Sequence, residues 1–194
     1  NFTAVSAVTE MVSLALKGVN VKVGNFLKST TGAQTPAFVQ QAAKLVDGAS
    51  SAQQAFASAS TTGNLLVVSG DVRPSTVSVS SVTDSKGNTY TLAVGPTLWN
   101  TSTPRRASTY YASNIVGGGS PITVTVTLDA TATRVQIYQH EYSGVAQVSP
   151  LDQVSAGTGT ATGATNSGSK TTAYANELIY GFGLSGVTAL LGPS

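Results

Sequence analysis

The feature that most constrains this chain is the alternation of apolar and hydroxyl-bearing residues between positions 77 and 128. In the clearest run, from Ile122 to Leu128, every second residue is isoleucine, valine or leucine, and threonines lie between them. A period of two is typical of a β-strand with one buried face and one solvated face. Similar runs precede it at 77–82 and 90–94, with turn-forming residues between them. The pattern predicts an antiparallel β-protein.

The run that begins at Val77 contains one break in its alternation. Val77 and Val79 share a face, whereas Val82 would face the opposite way. A β-bulge at positions 80–81 would insert one extra residue and return all three valines to the core. The segment 84–88, D-S-K-G-N, predicts the turn that follows.

Other apolar runs predict further strands. The continuous run Leu65 to Val68 is typical of a strand covered on both faces. A strand over 109–115 would place Tyr110 and Tyr111 on opposite faces. Weaker patterns predict strands near 37–42 and 150–156, and residues 178–184 alternate through two glycines.

Four stretches predict interruptions. Asp47–Gly48 and Asp129–Ala130 are turn-forming pairs, and the strand pattern resumes with Val135 after the second. Helix is compatible with the alanine- and glutamine-rich residues 50–60. Residues 95–106 lack periodicity and contain two prolines, so we expect an exposed loop there.

Together these patterns predict an all-β fold, an antiparallel two-sheet β-sandwich of the jelly-roll or immunoglobulin-like kind. We assign it to residues 36–194 and treat residues 1–35 as an N-terminal arm. The arm also fits a helical stripe, but glycines 18 and 24 and its valine-rich alternation favour a strand. The residues expected to form an inter-subunit strand are Val12, Leu14, Leu16, Val19, Val21 and Val23.

Composition narrows the function classes. Charged residues make up 9% of the 194 residues, against about 25% in typical domains. Solubility through hydroxyls and amides is common in extracellular fibres, adhesins and coat proteins, and weak charge repulsion permits dense packing. The net charge of +2 comes from scattered basic residues, which argues against a nucleic-acid partner. The absence of cysteine excludes disulfides, and no apolar run approaches the ~18 residues of a membrane span.

Few residues suggest chemistry. His140, the only histidine, is expected on a solvated strand face rather than as a general base or metal ligand. Glu141 shares its face with core positions and is expected to be a buried hydrogen-bonding anchor rather than an acid catalyst. Asp84 and Asn88 fit a turn better than a calcium site. We therefore predict no enzyme activity, no catalytic residue, no metal and no cofactor.

Aromatic residues supply the candidate binding site. Trp99, Tyr110 and Tyr111 could stack on a surface glycan, although packing within the protein would also explain them. Two sequons, at Asn1 and Asn100, are candidate glycosylation sites.

The order of several segments resembles a known family. The segments T-G-N-L-L-V-V, S-S-V-T-D-S-K-G-N-T-Y, Y-Y-A-S-N-I, E-Y-S-G and A-N-E-L-I-Y-G resemble a largely uncharacterised β-sandwich module of large exported bacterial surface proteins. The resemblance covers roughly residues 36–184 and implies an extracellular or cell-surface location. In that family the domain continues past the last of these segments, whereas this sequence ends at Ser194. The final strands are expected to be missing, replaced by the N-terminal arm, or supplied by a neighbouring subunit.

Three functional hypotheses follow. The first is a non-enzymatic extracellular structural or surface protein, a homo-oligomer or polymer that forms a filament or coat by strand addition of its arm. The second is a carbohydrate-binding module that uses Trp99. The third is a virion or phage surface protein. A fourth, a glycosidase, lacks an evident second carboxylate beside Glu141.

Overall fold

The computed structural model describes residues 13–17, 25–28, 35–99, 103–158 and 167–184. Within these ranges the chain is all-β and contains no helix, which confirms the predicted fold class at that level. The ten described strands are β1 (Ser13–Lys17), β2 (Asn25–Lys28), β3 (Ala37–Ala55), β4 (Leu65–Arg73), β5 (Val79–Asp84), β6 (Thr91–Trp99), β7 (Arg105–Ala112), β8 (Thr123–Ser143), β9 (Leu151–Gln153) and β10 (Asn176–Tyr180).

The chain forms two compact units. One is Phe38–Ser143, and the other combines Asn1–Ala37 with Gly144–Ser194. The predicted division of the chain at residue 36 into an arm and a domain stays a prediction.

The unit Phe38–Ser143 is built on a six-stranded antiparallel sheet with the order β3-β8-β4-β7-β6. The sixth strand, β5, pairs with the first half of β8, whereas β4 pairs with its second half. The long strand β8 therefore holds β4 and β5 one after the other along the same side.

One hydrophobic core serves this unit. Ile122 and Leu128 are buried in it, as are Val135 and Ile137 from the second half of β8. Because side chains alternate along a strand, both sets reach one cluster only if β8 changes face between them. The other buried members are Ala52, Phe56, Leu66, Val68, Val72, Val77, Ala112, Ile115, Val124, Val126 and Ala132.

The core confirms several sequence predictions. All four residues from Leu65 to Val68 are buried, as expected for a strand covered on both faces. The register of β5 on β8 shifts between Val79 and Ser81, which confirms the predicted bulge. Val77 is buried and Val79 and Val82 pack against the core, so the bulge keeps all three on one face.

The two longest strands correct three predictions. β8 runs without interruption through Asp129–Ala130, so the turn predicted there is wrong. The turn predicted at Asp47–Gly48 is also wrong, because β3 continues through it with Gly48 at a φ of 66°. Helix over 50–60 is wrong as well, since β3 extends to Ala55 and the rest is irregular. In β3, pairing with β8 overrides the local turn and helix propensities.

The loop predicted over 95–106 is wrong for most of its length. Residues 95–99 belong to β6 and residues 105–106 to β7, and the two strands pair. Two register shifts in β6, between Leu92 and Val94 and between Val94 and Thr97, erase the period of two from the sequence. Leu92, which lies in the alternating run 90–94, is 42% exposed.

The second unit contains a four-stranded antiparallel sheet with the order β1-β10-β2-β9. The backbone of β1 pairs along the whole of β10, from Ser13 opposite Tyr180 to Lys17 opposite Asn176. Strand β10 ends at Tyr180, so the strand predicted over 178–184 is shorter than expected. Within the described ranges, no helix is long and apolar enough to span a membrane.

Candidate functional site

The most accessible strand of the six-stranded sheet is β3, which lies at one edge. Among the described strands it pairs only with β8. Its 19 residues include no proline and only two charged residues, Lys44 and Asp47. Phe38, Val39 and Leu45 are exposed hydrophobic residues along it, with Leu45 45% exposed. A long edge strand of this kind is a template for pairing with another strand.

The opposite edge, β6, differs in its chemistry. Pro96 has no backbone N–H to offer to a further strand. The two register shifts described above interrupt its hydrogen-bonding pattern. Proline and bulges are devices by which proteins block strand addition at an edge. Of these two described edge strands, β6 is protected and β3 is largely unprotected.

The structure does not bring the predicted aromatic site together. Trp99 lies at the end of β6 opposite Arg105, whose guanidinium carbon is 5.1 Å from the centroid of the indole ring. Tyr111 pairs with Thr91 at the other end of the same hairpin, six residues along β7. Tyr110 lies on the other face, where burial raises the pKa of its hydroxyl. Glycan binding by the three together stays a prediction without a common surface to support it.

Glu141 is fully buried and acts as an anchor for the segment 57–64. One carboxylate oxygen, Oε1, accepts hydrogen bonds from the Thr61 amide at 2.9 Å and from Asn64 Nδ2 at 2.6 Å. The other, Oε2, accepts one from Gln40 Nε2 at 2.6 Å. The carboxylate is thus satisfied by three donors, which confirms the anchor interpretation.

His140 is buried, so its predicted position on a solvated face is wrong. Its ring stacks on Tyr142, and its Nε2 lies 3.0 Å from Gln41 Oε1. Desolvation lowers the pKa of the imidazole to about 4, so the ring is neutral at pH 7. The sequence could not show this, because the alternation identified the face of His140 but not that this face is covered.

Asp84 and Asn88 form a turn, as predicted. The Asp84 carboxylate accepts hydrogen bonds from the Lys86 and Asn88 amides, from Asn88 Nδ2, and from the Tyr90 hydroxyl at 2.9 Å. Burial and the neighbouring carboxylate raise the pKa of Tyr90, which keeps its proton available for this bond. Gly87 supplies the positive φ, 75°, that the turn needs.

Within the described ranges, no group of three or more histidine, cysteine, aspartate or glutamate residues is placed to hold a metal ion. A small cavity in the unit Phe38–Ser143 lies between the core valines and the side chains of Arg106, Ser108 and Tyr110. Its volume of about 20 Å³ is enough for roughly one water molecule. This cavity is too small for an organic ligand.

Several predicted residues lie outside the described ranges. These are Asn1 and Asn100 of the sequons and, in the arm, Val12, Val19, Val21 and Val23. Leu14 and Leu16 lie in β1, whose backbone pairs with β10 of the same chain. Their role between subunits stays a prediction.

Sequence reasoning missed two charged clusters. Asp71 on β4 is buried and lies 3.8 Å from both Arg73 and Arg105. In the other unit, Asp152 and Glu177 accept hydrogen bonds from the consecutive amides of residues 173 and 174, and desolvation raises the pKa of Glu177 to about 7. Only strand register brings these residues together, and the sequence carried no signal for that register beyond the charges themselves.

Comparison of the chain with protein-family models, with curated proteins and with solved structures gave no match.

Proposed function

We propose that this chain is a non-enzymatic, extracellular structural protein, a β-sandwich subunit that assembles into a filament or coat by adding a strand to β3. The proposed extracellular location also follows from the resemblance of the sequence to modules of exported bacterial surface proteins. It rests on the unprotected edge of the six-stranded sheet.

The contrast between the two edges carries the proposal. Long edge strands of monomeric proteins are normally blocked by charges, proline or bulges, because an open edge invites aggregation. Here β6 has a proline and two register shifts, whereas β3 has no proline and only two charged residues among 19. Strand β3 is also the longer edge and exposes three hydrophobic side chains. An edge left open in this way is explained if another chain covers it in the assembled state.

We assign the covering strand to a second copy of this chain, through its N-terminal arm. In the four-stranded sheet β1 is itself an outer strand, paired with β10 on one side. Its other side can pair with β3 of a neighbouring copy while the contact with β10 is kept. Since β1 and β3 are different surfaces, the contact is head-to-tail, and repeated contacts of this kind build open filaments unless the rotation between copies closes a ring. The low charge content limits repulsion between the copies.

A matched pair of edge variants tests this assignment. Leu45 on β3 and Leu98 on β6 are each 45% exposed. We expect Leu45→Lys to abolish assembly measured by light scattering after size-exclusion chromatography, whereas Leu98→Lys leaves it unchanged. A wild-type protein that is monomeric at high concentration, or equal effects of the two variants, would contradict the proposal.

A complementation experiment identifies the donor strand. A chain that lacks residues 1–17 retains the acceptor β3, and the Leu45→Lys chain retains the donor β1. Each alone is expected to be monomeric, and a mixture is expected to form one-to-one dimers that grow no further. If the mixture stays monomeric although both variants keep wild-type circular dichroism, the arm is not the donor.

A further inference from the structure

Two carboxyl groups of the second unit are held side by side by consecutive backbone amides. The amide of Ala173 donates a hydrogen bond of 2.9 Å to Asp152 Oδ2, and that of Tyr174 donates one of 3.0 Å to Glu177 Oε1. Since consecutive Cα atoms are only about 3.8 Å apart, these two amides bring the carboxyl groups close together. Asp152 lies on β9 and Glu177 on β10, and we call them the carboxylate pair.

The second oxygen of Glu177 is buried without a hydrogen-bond donor. Glu177 is 6% exposed, and the Tyr174 amide contacts only its Oε1. Among the described residues, none donates a hydrogen bond to Oε2. A buried carboxylate oxygen in this state costs free energy unless a proton or a cation compensates it.

No described side chain supplies a positive charge to the pair. Neither Asp152 nor Glu177 forms an ion pair with a lysine or arginine whose side chain the structure describes. Lys170 is the only such basic residue in this unit, and it is exposed. Besides desolvation, the charge of Asp152 and a hydrogen bond with it raise the pKa of Glu177, so the two carboxyl groups are in contact. Two negative charges at this distance repel each other.

We propose that the carboxylate pair binds a divalent cation, preferably calcium, between Glu177 Oε2 and the Asp152 carboxylate. Glu177 supplies a buried oxygen with no competing donor, and Asp152 is half-buried, so the ion has access from solvent. Carboxylate oxygens are the ligands that hard cations prefer. Calcium accepts irregular coordination completed by water and backbone carbonyls, whereas magnesium requires a near-ideal octahedron.

The bound cation would connect strands that are not neighbours. Strand β2 lies between β10 and β9, so an ion held by Glu177 and Asp152 adds a link across the four-stranded sheet. Because two carboxylates are fewer charged ligands than a dedicated calcium loop has, we expect a dissociation constant of about 10⁻⁴–10⁻³ M. The sequence analysis expected no metal site, because the two residues lie far apart in the sequence and only the strand pairing brings them together. This site does not depend on the assembly proposed above.

Isothermal titration calorimetry of the chelator-treated full chain with calcium chloride tests the proposal. We expect saturable binding of one equivalent, and weaker binding of magnesium chloride. Glu177→Gln and Asp152→Asn are each expected to weaken calcium binding at least about tenfold. Asp152 is the less buried of the two, so Asp152→Asn keeps the test decisive if Glu177→Gln loses the wild-type circular dichroism.

Two control variants separate this site from other sources of charge. Asp129→Asn makes the same chemical change at an exposed carboxylate of the other unit and should leave calcium binding unchanged. Lys28 is the backbone partner of Glu177 on β2, and Lys28→Gln should leave calcium binding at least as tight as in the wild type. The proposal is overturned by an absence of saturable binding at millimolar calcium, or by binding that appears only in Lys28→Gln. Wild-type affinity in a folded Asp152→Asn variant, or an equal loss in Asp129→Asn, would overturn it as well.

Discussion

The buried carboxylate of Glu141 gives the most direct test of how the unit Phe38–Ser143 is held together. Glu141→Gln keeps the shape of the side chain but replaces one acceptor oxygen with an amide donor. Each of the two oxygens accepts at least one hydrogen bond, so a donor must then face a donor. The least costly arrangement would place the new amide opposite Gln40, if Gln40 could rotate its own amide.

Gln40 is not free to rotate its amide. Its Oε1 accepts a hydrogen bond from the Ser58 amide at 3.1 Å, and its Nε2 donates to the Ser58 carbonyl at 3.1 Å. Rotation would break both bonds. In the variant the remaining hydrogen bonds are made to a neutral amide instead of a carboxylate, and one donor is left without an acceptor. Together these changes should lower the free energy of unfolding by about 3 kcal/mol. For a chain of this size the melting temperature should fall by about 6–12 °C.

The assay is urea unfolding followed by tryptophan fluorescence. Trp99 is the only tryptophan and lies in the same unit as Glu141, so its signal reports on that unit. Hydrogen exchange of the Thr61 amide, which bonds the carboxylate, gives a local readout and should speed up in the variant. Asp129→Asn makes the same chemical change at an exposed carboxylate that accepts from the Ser78 amide, and should cost less than about 1 kcal/mol. If Glu141→Gln costs no more than Asp129→Asn and Thr61 exchange is unchanged, Glu141 is not an anchor.

Further predictions concern pH and packing. Burial lowers the pKa of His140 to about 4, so the unfolded state binds more protons than the folded state between pH 4 and 6.5. The free energy of unfolding should therefore fall by up to about 3 kcal/mol as the pH drops through that window. His140→Gln should remove this pH dependence from unfolding curves followed by fluorescence. The pH dependence expected from Glu177 has the opposite sign. Its pKa is raised to about 7, so the folded state binds more protons than the unfolded state, and the stability that this proton contributes is lost as the pH rises from 4.5 through 7. Glu177→Gln should abolish this loss in unfolding followed by circular dichroism. Gly70→Ala would place its Cβ 2.2 Å from the Gln136 carbonyl oxygen and should lower the free energy of unfolding by about 3 kcal/mol or more. Gly87→Ala meets open space but has a positive φ, so it should cost only about 1–2 kcal/mol. Similar costs for the two variants would show that β4 and β8 can separate.

The sequence predictions succeeded where the alternation of apolar and polar residues shows which face of a strand is buried. It identified the core faces of the strands around Val82, Ile122 and Ile137, and even the bulge after Val79, because one inserted residue leaves a visible shift in parity. It failed where hydrogen bonding to a long partner carries a strand through turn-forming residues, as β8 does through Asp129. Two successive register shifts hid β6 altogether.

The candidate interfaces were harder to predict, for the same physical reason. Exposure of β3 depends on its place at the end of the strand order, and the contact of Asp71 with Arg105 depends on the register of β4 on β7. Neither quantity is local in the sequence. Asp71 and Arg105, for example, are in contact although they are 34 residues apart in the sequence.

Two buried carboxylates of the unit Phe38–Ser143 are compensated in different ways. Glu141 is satisfied by three neutral donors at 2.6–2.9 Å, so nothing further is needed to explain its burial, and it belongs to the fold. Asp71 is buried, and its carboxylate lies 3.8 Å from the side chains of both Arg73 and Arg105. Both carboxylates are therefore held by groups of the chain itself, and for that reason we assign them to the fold and place the proposed assembly function on the β3 edge.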